Sequence, residues 1–225
     1  MPNVSTIHAL RAFALMPLLL APAAAVAARS DWHEMTAGHF HLFSTLGDAR
    51  TRDVARNLQA FEKTVGELLQ SEDRLPDIPT LIYILDHGDF QHYAAPHAGV
   101  GGLFFERPYA NAIVIDGSMP FDYVRVTIFH EYTHFIQRSS TTKKLPPWYV
   151  EGYAELFSSF KMDKQKITLG NLPLGVGVDM GEWISVERLL AVKQSDPEYR
   201  AERLMPQFYG ESWALVHLLL FDAAR

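Results

Sequence analysis

The stretch His130-Glu131-Tyr132-Thr133-His134 decides how the rest of the chain is read. Two histidines four apart, with a glutamate directly after the first, is the spacing that puts two imidazoles on one face of a helix, where both reach a single zinc ion. Glu131 follows at about 100° around the same helix. From there it meets the water that the metal activates without being a ligand itself, which is what a general base for hydrolysis requires. Projected over residues 123–138, the segment divides cleanly. Val124, Ile128, Tyr132, Phe135 and Ile136 form an apolar face, and Thr127, His130, Glu131 and His134 gather on the other side. Histidines that serve only as core residues lie among the apolar positions; these two point away from them.

Two imidazoles do not complete a catalytic zinc site, which takes a third protein ligand and keeps one position open. The candidate lies in Trp148-Tyr149-Val150-Glu151-Gly152-Tyr153-Ala154-Glu155. Pro147 has the fixed φ suited to a first helical turn, so a second helix begins there, with Glu151 and Glu155 one turn apart on one side. Residues 139–146, rich in Ser, Thr and Lys, are long enough to fold this helix back on the first. Glu151 then becomes the third ligand. Glu155, one turn on, accepts the outer ring N–H of a ligand histidine and fixes its tautomer.

These residues carry a family resemblance. His130-Glu131-x-x-His134 followed by Trp148-x-x-Glu151-Gly152-x-Ala154-Glu155 resembles the gluzincin metallopeptidases, the group of thermolysin and the aminopeptidases with a glutamate third ligand, and most of all their peptidase MA-like domains. The resemblance implies His130, His134 and Glu151 as ligands of one Zn2+, Glu131 as base and Glu155 behind the ligands. It also implies a zincin-like α+β fold, with a small mixed sheet in the N-terminal half, a helical C-terminal half and the metal site between them. A gluzincin needs a donor for the oxyanion, from a Tyr or His far along the chain. Tyr209, followed by Gly210, resembles the aminopeptidase arrangement, and His217 is the alternative. The Gly-x-Met-Glu-Asn motif of the aminopeptidases is absent, which removes the usual reason to expect amino-terminal trimming.

Around this centre the chain reads as follows. The segment 39–43 alternates as a short strand, residues 48–70 form an amphipathic helix, and Thr80–Leu85 is a buried strand. A short helix starts near Gly88. Gly99, Gly101 and Gly102 mark either a bulged strand closely approached by another backbone, a substrate rim, or a flexible turn. Asn111–Asp116 is a further strand. His87, His92 and His97 recur at fives, which does not align them on one helix face, and they read as surface or loop residues. Residues 161–180 read as a hairpin or irregular insertion, 183–192 as a helix, and a last helix opens at Pro206.

Composition bounds the rest. The 225 residues are 48% hydrophobic and 20% charged, enough for one domain with a sizeable core. The net charge of −6 is dispersed without a basic stripe, so nucleic acid is excluded as a partner. Residues 1–28, with Arg11, an apolar run and Ala25-Val26-Ala27-Ala28, read as a signal peptide for a secreted or periplasmic protein. An uncleaved, membrane-tethering anchor is the alternative. Residues 29–225 are then the catalytic domain, whose C-terminal end at Arg225 falls just after a helix and suggests truncation. Cysteine is absent, so no disulfide framework supports the fold. The sequence as a whole predicts a zinc-dependent hydrolase acting on peptide or protein substrates. A non-catalytic zinc module binding peptide or cell-envelope material, and a zinc hydrolase of non-peptide bonds, are the alternatives.

Overall fold

The computed structural model describes residues 32–69, 78–94, 100–107, 109–164, 166–175 and 183–222. The expected signal segment and His97 lie outside them. The described residues form one compact unit of mixed α and β structure, with a sheet in the N-terminal half and helices in the C-terminal half.

The sheet has five strands in the order β1-β2-β3-β5-β4. They are β1 (His33–Ala37), β2 (Phe40–Ser44), β3 (Thr80–Leu85), β4 (Gly102–Glu106) and β5 (Asn111–Asp116). β2, β3 and β5 run parallel, and β1 and β4 are antiparallel additions at the two edges, so the sheet is mixed as the sequence predicts. Strand β1 was not expected. It is short and polar in alternation, and what creates it is the tight turn at Gly38, whose φ of 63° suits glycine.

Alternation along the strands supplies one core face. Phe40 and Leu42, Ile82 and Ile84, and Ile113 and Ile115 are fully buried against helices α1 (Asp48–Leu69) and α3 (Phe121–Ser140). The α1 positions Val54, Leu58, Phe61 and Val65 meet this face at helical spacing. Phe61 stacks on Phe129 of α3, with ring centroids 4.6 Å apart. Burial of each such ring contributes about 1.5–3 kcal/mol. The opposite sheet face is covered more thinly, by Phe90 and Ala94 of α2 (His87–Ala94) packing with Leu85 and Val114.

Helix α4 (Pro147–Ser158) is unusual in that every residue from Glu151 to Ser158 is buried. It lies between α3 and α7 (Met205–His217), and Gly152 is where α7 comes closest: a Cβ there would sit 2.2 Å from the Ser212 carbonyl oxygen. The hairpin of β6 (Lys161–Asp163) and β7 (Lys166–Thr168) follows. The helix expected over 183–192 is shorter, α5 (Val186–Ala191). Ser185 caps it by accepting the Arg188 backbone N–H, and Val192 leaves it in an extended conformation. A four-residue helix, α6 (Pro197–Arg200), was not anticipated, and a π-helical turn over Leu218–Asp222 ends the described chain. Among the described residues, no helix is long and apolar enough to cross a membrane.

Candidate metal centre

α3 divides as its sequence predicts. Tyr132 and Thr133, the two residues inside the His-Glu-x-x-His stretch, are fully buried on the core side. The Tyr132 hydroxyl donates to Glu62 Oε1 at 2.8 Å, and His39 Nε2 lies 3.3 Å from that hydroxyl and 3.2 Å from the carboxylate. This group ties the helix to α1 and to the start of β2 from behind. Its front face is thereby fixed in rotation, and His130 and His134 project toward α4 with side chains only 13% and 11% exposed.

The candidate ligand atoms form a nearly regular triangle. His130 Nε2 and His134 Nε2 are 3.1 Å apart, and Glu151 Oε2 lies 3.4 Å from the first and 3.5 Å from the second. Bonds of the length zinc makes to nitrogen and oxygen span tetrahedral edges of about 3.3 Å, so the three atoms fit one ion. The two nitrogen–oxygen separations are longer than the about 2.7–2.9 Å of charge-assisted hydrogen bonds. Glu151 Oε2 is buried without a hydrogen-bond partner. A buried carboxylate oxygen left unpaired is costly, and a cation held jointly with the two imidazoles would satisfy it. His130, His134 and Glu151 together are a cluster that could hold a metal ion.

Surrounding groups orient these atoms. His130 Nδ1 faces Glu155 Oε1 at 3.2 Å, the arrangement expected from the one-turn spacing on α4. His134 Nδ1 faces Gln137 Oε1 at 3.4 Å, and the Gln137 amide donates to the Val150 carbonyl of α4. Glu151 Oε1 accepts from the Tyr199 hydroxyl at 2.6 Å. Burial disfavours a charged His130 ring, but Glu155, Glu151 and Glu131 overcome it and hold its pKa well above the ordinary value. Glu151 is the mirror case. Burial pushes its carboxyl upward, and His134 and His130 bring it far below the usual carboxylate range.

A cleft of about 500 Å³ opens on the front of this cluster, lined among others by Gly101, Gly102, Thr127, His130, Glu131 and Tyr209. Glu131 therefore faces the cleft beside the His130, His134 and Glu151 cluster and is not part of it. The glycines are a close approach, not a flexible turn. A Cβ on Gly102 would meet Thr127 Cγ2 at 2.6 Å and Glu131 Cγ at 3.4 Å, so β4, a sheet edge, lies directly against the face of α3 that carries Glu131. Tyr209 of α7 stacks on the His130 ring at 6.1 Å, and burial, with Glu151 and Tyr199 adding to it, raises its pKa well above the ordinary value. Its phenol is a proton donor at neutral pH. His217 does not reach the cleft: it lies about two turns further along α7, against Trp213, Phe221 and Gly170.

His87 pairs with Asp116 at 2.7 Å, and His92 lies at the end of α2 near Tyr93, as surface residues do. Tyr199 and Gln137 escaped the sequence reading. Gln137 stands three residues after His134 and was visible as a neighbour on the helix face. Tyr199 had no local signal at all. Comparison of the chain with protein-family models, curated proteins and solved structures found no match.

Proposed function

We propose that the chain is a zinc-dependent peptidase with a zincin-like architecture. The observation that carries the reading is the triangle of His130 Nε2, His134 Nε2 and Glu151 Oε2 beside a cleft-facing Glu131. These three atoms would hold the ion. When bound, zinc supplies Lewis acidity toward a water molecule and toward the carbonyl oxygen of the substrate.

The chain's own residues account for the remaining work. Glu131 takes the proton that the attacking water loses as its oxygen bonds to the carbonyl carbon, and returns it to the amine nitrogen as the carbon–nitrogen bond breaks. The Tyr209 phenol donates toward the oxygen on which negative charge develops. The outer edge of β4 offers backbone hydrogen bonds to an extended peptide running along the cleft. Met119, Tyr123, Val126 and Met205 make the wall of that cleft largely apolar, which suits substrates with bulky apolar side chains near the cleaved bond. A signal segment at residues 1–28 would deliver the enzyme to the periplasm or the exterior, with peptides or proteins as substrates and nucleic acid as none.

The test is Glu131→Gln in the purified full chain. The variant binds one zinc per chain as wild type does, and its cleavage of a peptide library drops by about 10²–10⁴-fold. A zinc-loaded wild type that cleaves no peptide, with Glu131→Gln indistinguishable from it, would refute the enzyme reading. The same preparations assayed on ester substrates identify a hydrolase of non-peptide bonds.

A further inference from the structure

The two oxygens of Glu151 are treated differently. Oε1 accepts a short hydrogen bond, 2.6 Å, from the hydroxyl of Tyr199, 48 residues further along the chain. Oε2 has no hydrogen-bond partner and faces both histidine Nε2 atoms. We infer that Tyr199 is a positioning residue that reserves Glu151 Oε1 for itself, so that Glu151 presents a single oxygen to the metal. The inference rests on the zinc-site reading above.

A carboxylate can give a metal one oxygen or both. With both, a site of two histidines and a glutamate becomes four-coordinate from protein alone; with one, it keeps three protein ligands and an open position. A carboxylate turning to offer Oε1 as well would have to give up the bond from Tyr199 in a buried setting, where an unmade hydrogen bond is costly. The phenol is fit for this role because its hydroxyl donates to Oε1 at close range and leaves Oε2 free to face the histidines.

Tyr199 itself is placed by an unusual device. Helix α6 has only four residues and cannot fix its own orientation. Arg188 of α5 grips it from outside: Nε donates to Glu198 Oε1 at 2.8 Å, and Nη2 donates to Glu198 Oε2 at 2.7 Å and to Asp196 Oδ2 at 2.9 Å. The fork fixes geometry more than it adds stability, because it is solvent-exposed. From inside, the Tyr199 ring packs on Phe208 and Tyr209 of α7. The two tyrosines thus divide the work. Tyr209 faces the cleft and Tyr199 faces the back of the ligand.

The experiment uses the purified full chain, with Zn2+ affinity read by competition with a chelating dye and coordination read from the visible absorption of the Co2+-loaded protein. Tyr199→Phe is expected to weaken Zn2+ about 10-fold. It also lowers the visible absorptivity of bound Co2+, as the freed oxygen enters and coordination expands. In a Glu151→Ala background, the same substitution changes neither quantity. A Tyr199→Phe protein with wild-type affinity and spectrum overturns the inference and leaves the metal site standing. An equal loss with and without Glu151 also overturns it, since the role would then be structural. A wild type that binds neither metal overturns the inference and the zinc reading together. If Tyr199→Phe does not fold, Arg188→Ala decides: it releases α6 from the surface, and a weaker Zn2+ affinity is expected, while unchanged affinity and spectrum is the overturning result.

Discussion

Replacing Gly152 by alanine adds one methyl group at the point where α4 and α7 touch. That carbon would lie 2.2 Å from the Ser212 carbonyl oxygen, 2.5 Å from the Ser212 carbonyl carbon and 2.9 Å from Val216 Cγ2. Non-bonded heavy atoms are comfortable at about 3.5 Å or more, so α7 must retreat by roughly 1 Å. Two of the three obstacles are backbone and cannot rotate aside. The cost falls at the upper end of the ~1–3 kcal/mol typical of overpacking, and the gain in helix propensity returns about 1 kcal/mol. The net loss of about 2 kcal/mol corresponds to a fall of roughly 4–8 °C in Tm for a domain of this size. Tyr209 stands one turn before Ser212 on the displaced helix and is carried away from His130, and a 1 Å misplacement costs catalysis on the order of 10²-fold. The three candidate ligands belong to α3 and α4, so zinc affinity falls by at most the roughly 10-fold expected from disturbing Tyr199, which packs on α7. Thermal unfolding, dye competition for Zn2+ and kcat/KM on a peptide measure the three effects separately. A Gly152→Ala protein as stable as wild type, or stabilised by the ~1 kcal/mol that propensity alone gives, refutes the close approach and the placement of α7 with it.

Two other outcomes follow from the same geometry. Tyr209→Phe keeps the ring stacked on His130 and removes only the donor, so kcat falls about 10²–10³-fold while zinc content and KM hold; an unchanged kcat would move the oxyanion donor elsewhere. Stripping the ion with a chelator leaves Glu151 Oε2 unpaired again. At free zinc 100 times its Kd, the holo form is more stable by about 2.7 kcal/mol, a Tm difference of roughly 5–10 °C. Equal melting temperatures with zinc and with chelator would count against a bound ion.

How far the sequence revealed this arrangement depended on whether a feature was local. The positions of His130, Glu131 and His134 follow from helical periodicity over five residues, and Glu155 from one turn of α4. The buried strands β3 and β5 were legible as runs of β-branched residues with the residue bounds observed. Glu151 was legible only because Pro147 marks a helix start and residues 139–146 suffice for a turn. What stayed hidden was made by long-range packing. Tyr199 reaches Glu151 through a helix too short to leave a periodic trace, and the tie among Tyr132, Glu62 and His39 joins three distant segments. Gly152 read as part of a motif, but its reason, the backbone of Ser212, lies 60 residues downstream. The glycines at 101 and 102 pointed to two outcomes, and Thr127 decided between them by occupying the space a side chain would need.

The ligand triangle is also local in a sense that bears on how the molecule matures. His130, His134 and Glu151 come from two adjacent helices, and closing a loop of about 20 residues costs little entropy. Tyr199 and Tyr209 reach the same place only after a further 48 to 58 residues have been synthesised and α7 has docked on Gly152. A nascent or half-folded chain can therefore gather its three candidate metal ligands before it owns either tyrosine. On the proposed function, capture of an ion and competence to cut would then be separate events in the order of assembly, because the three-residue cluster can close before Tyr209 is in place.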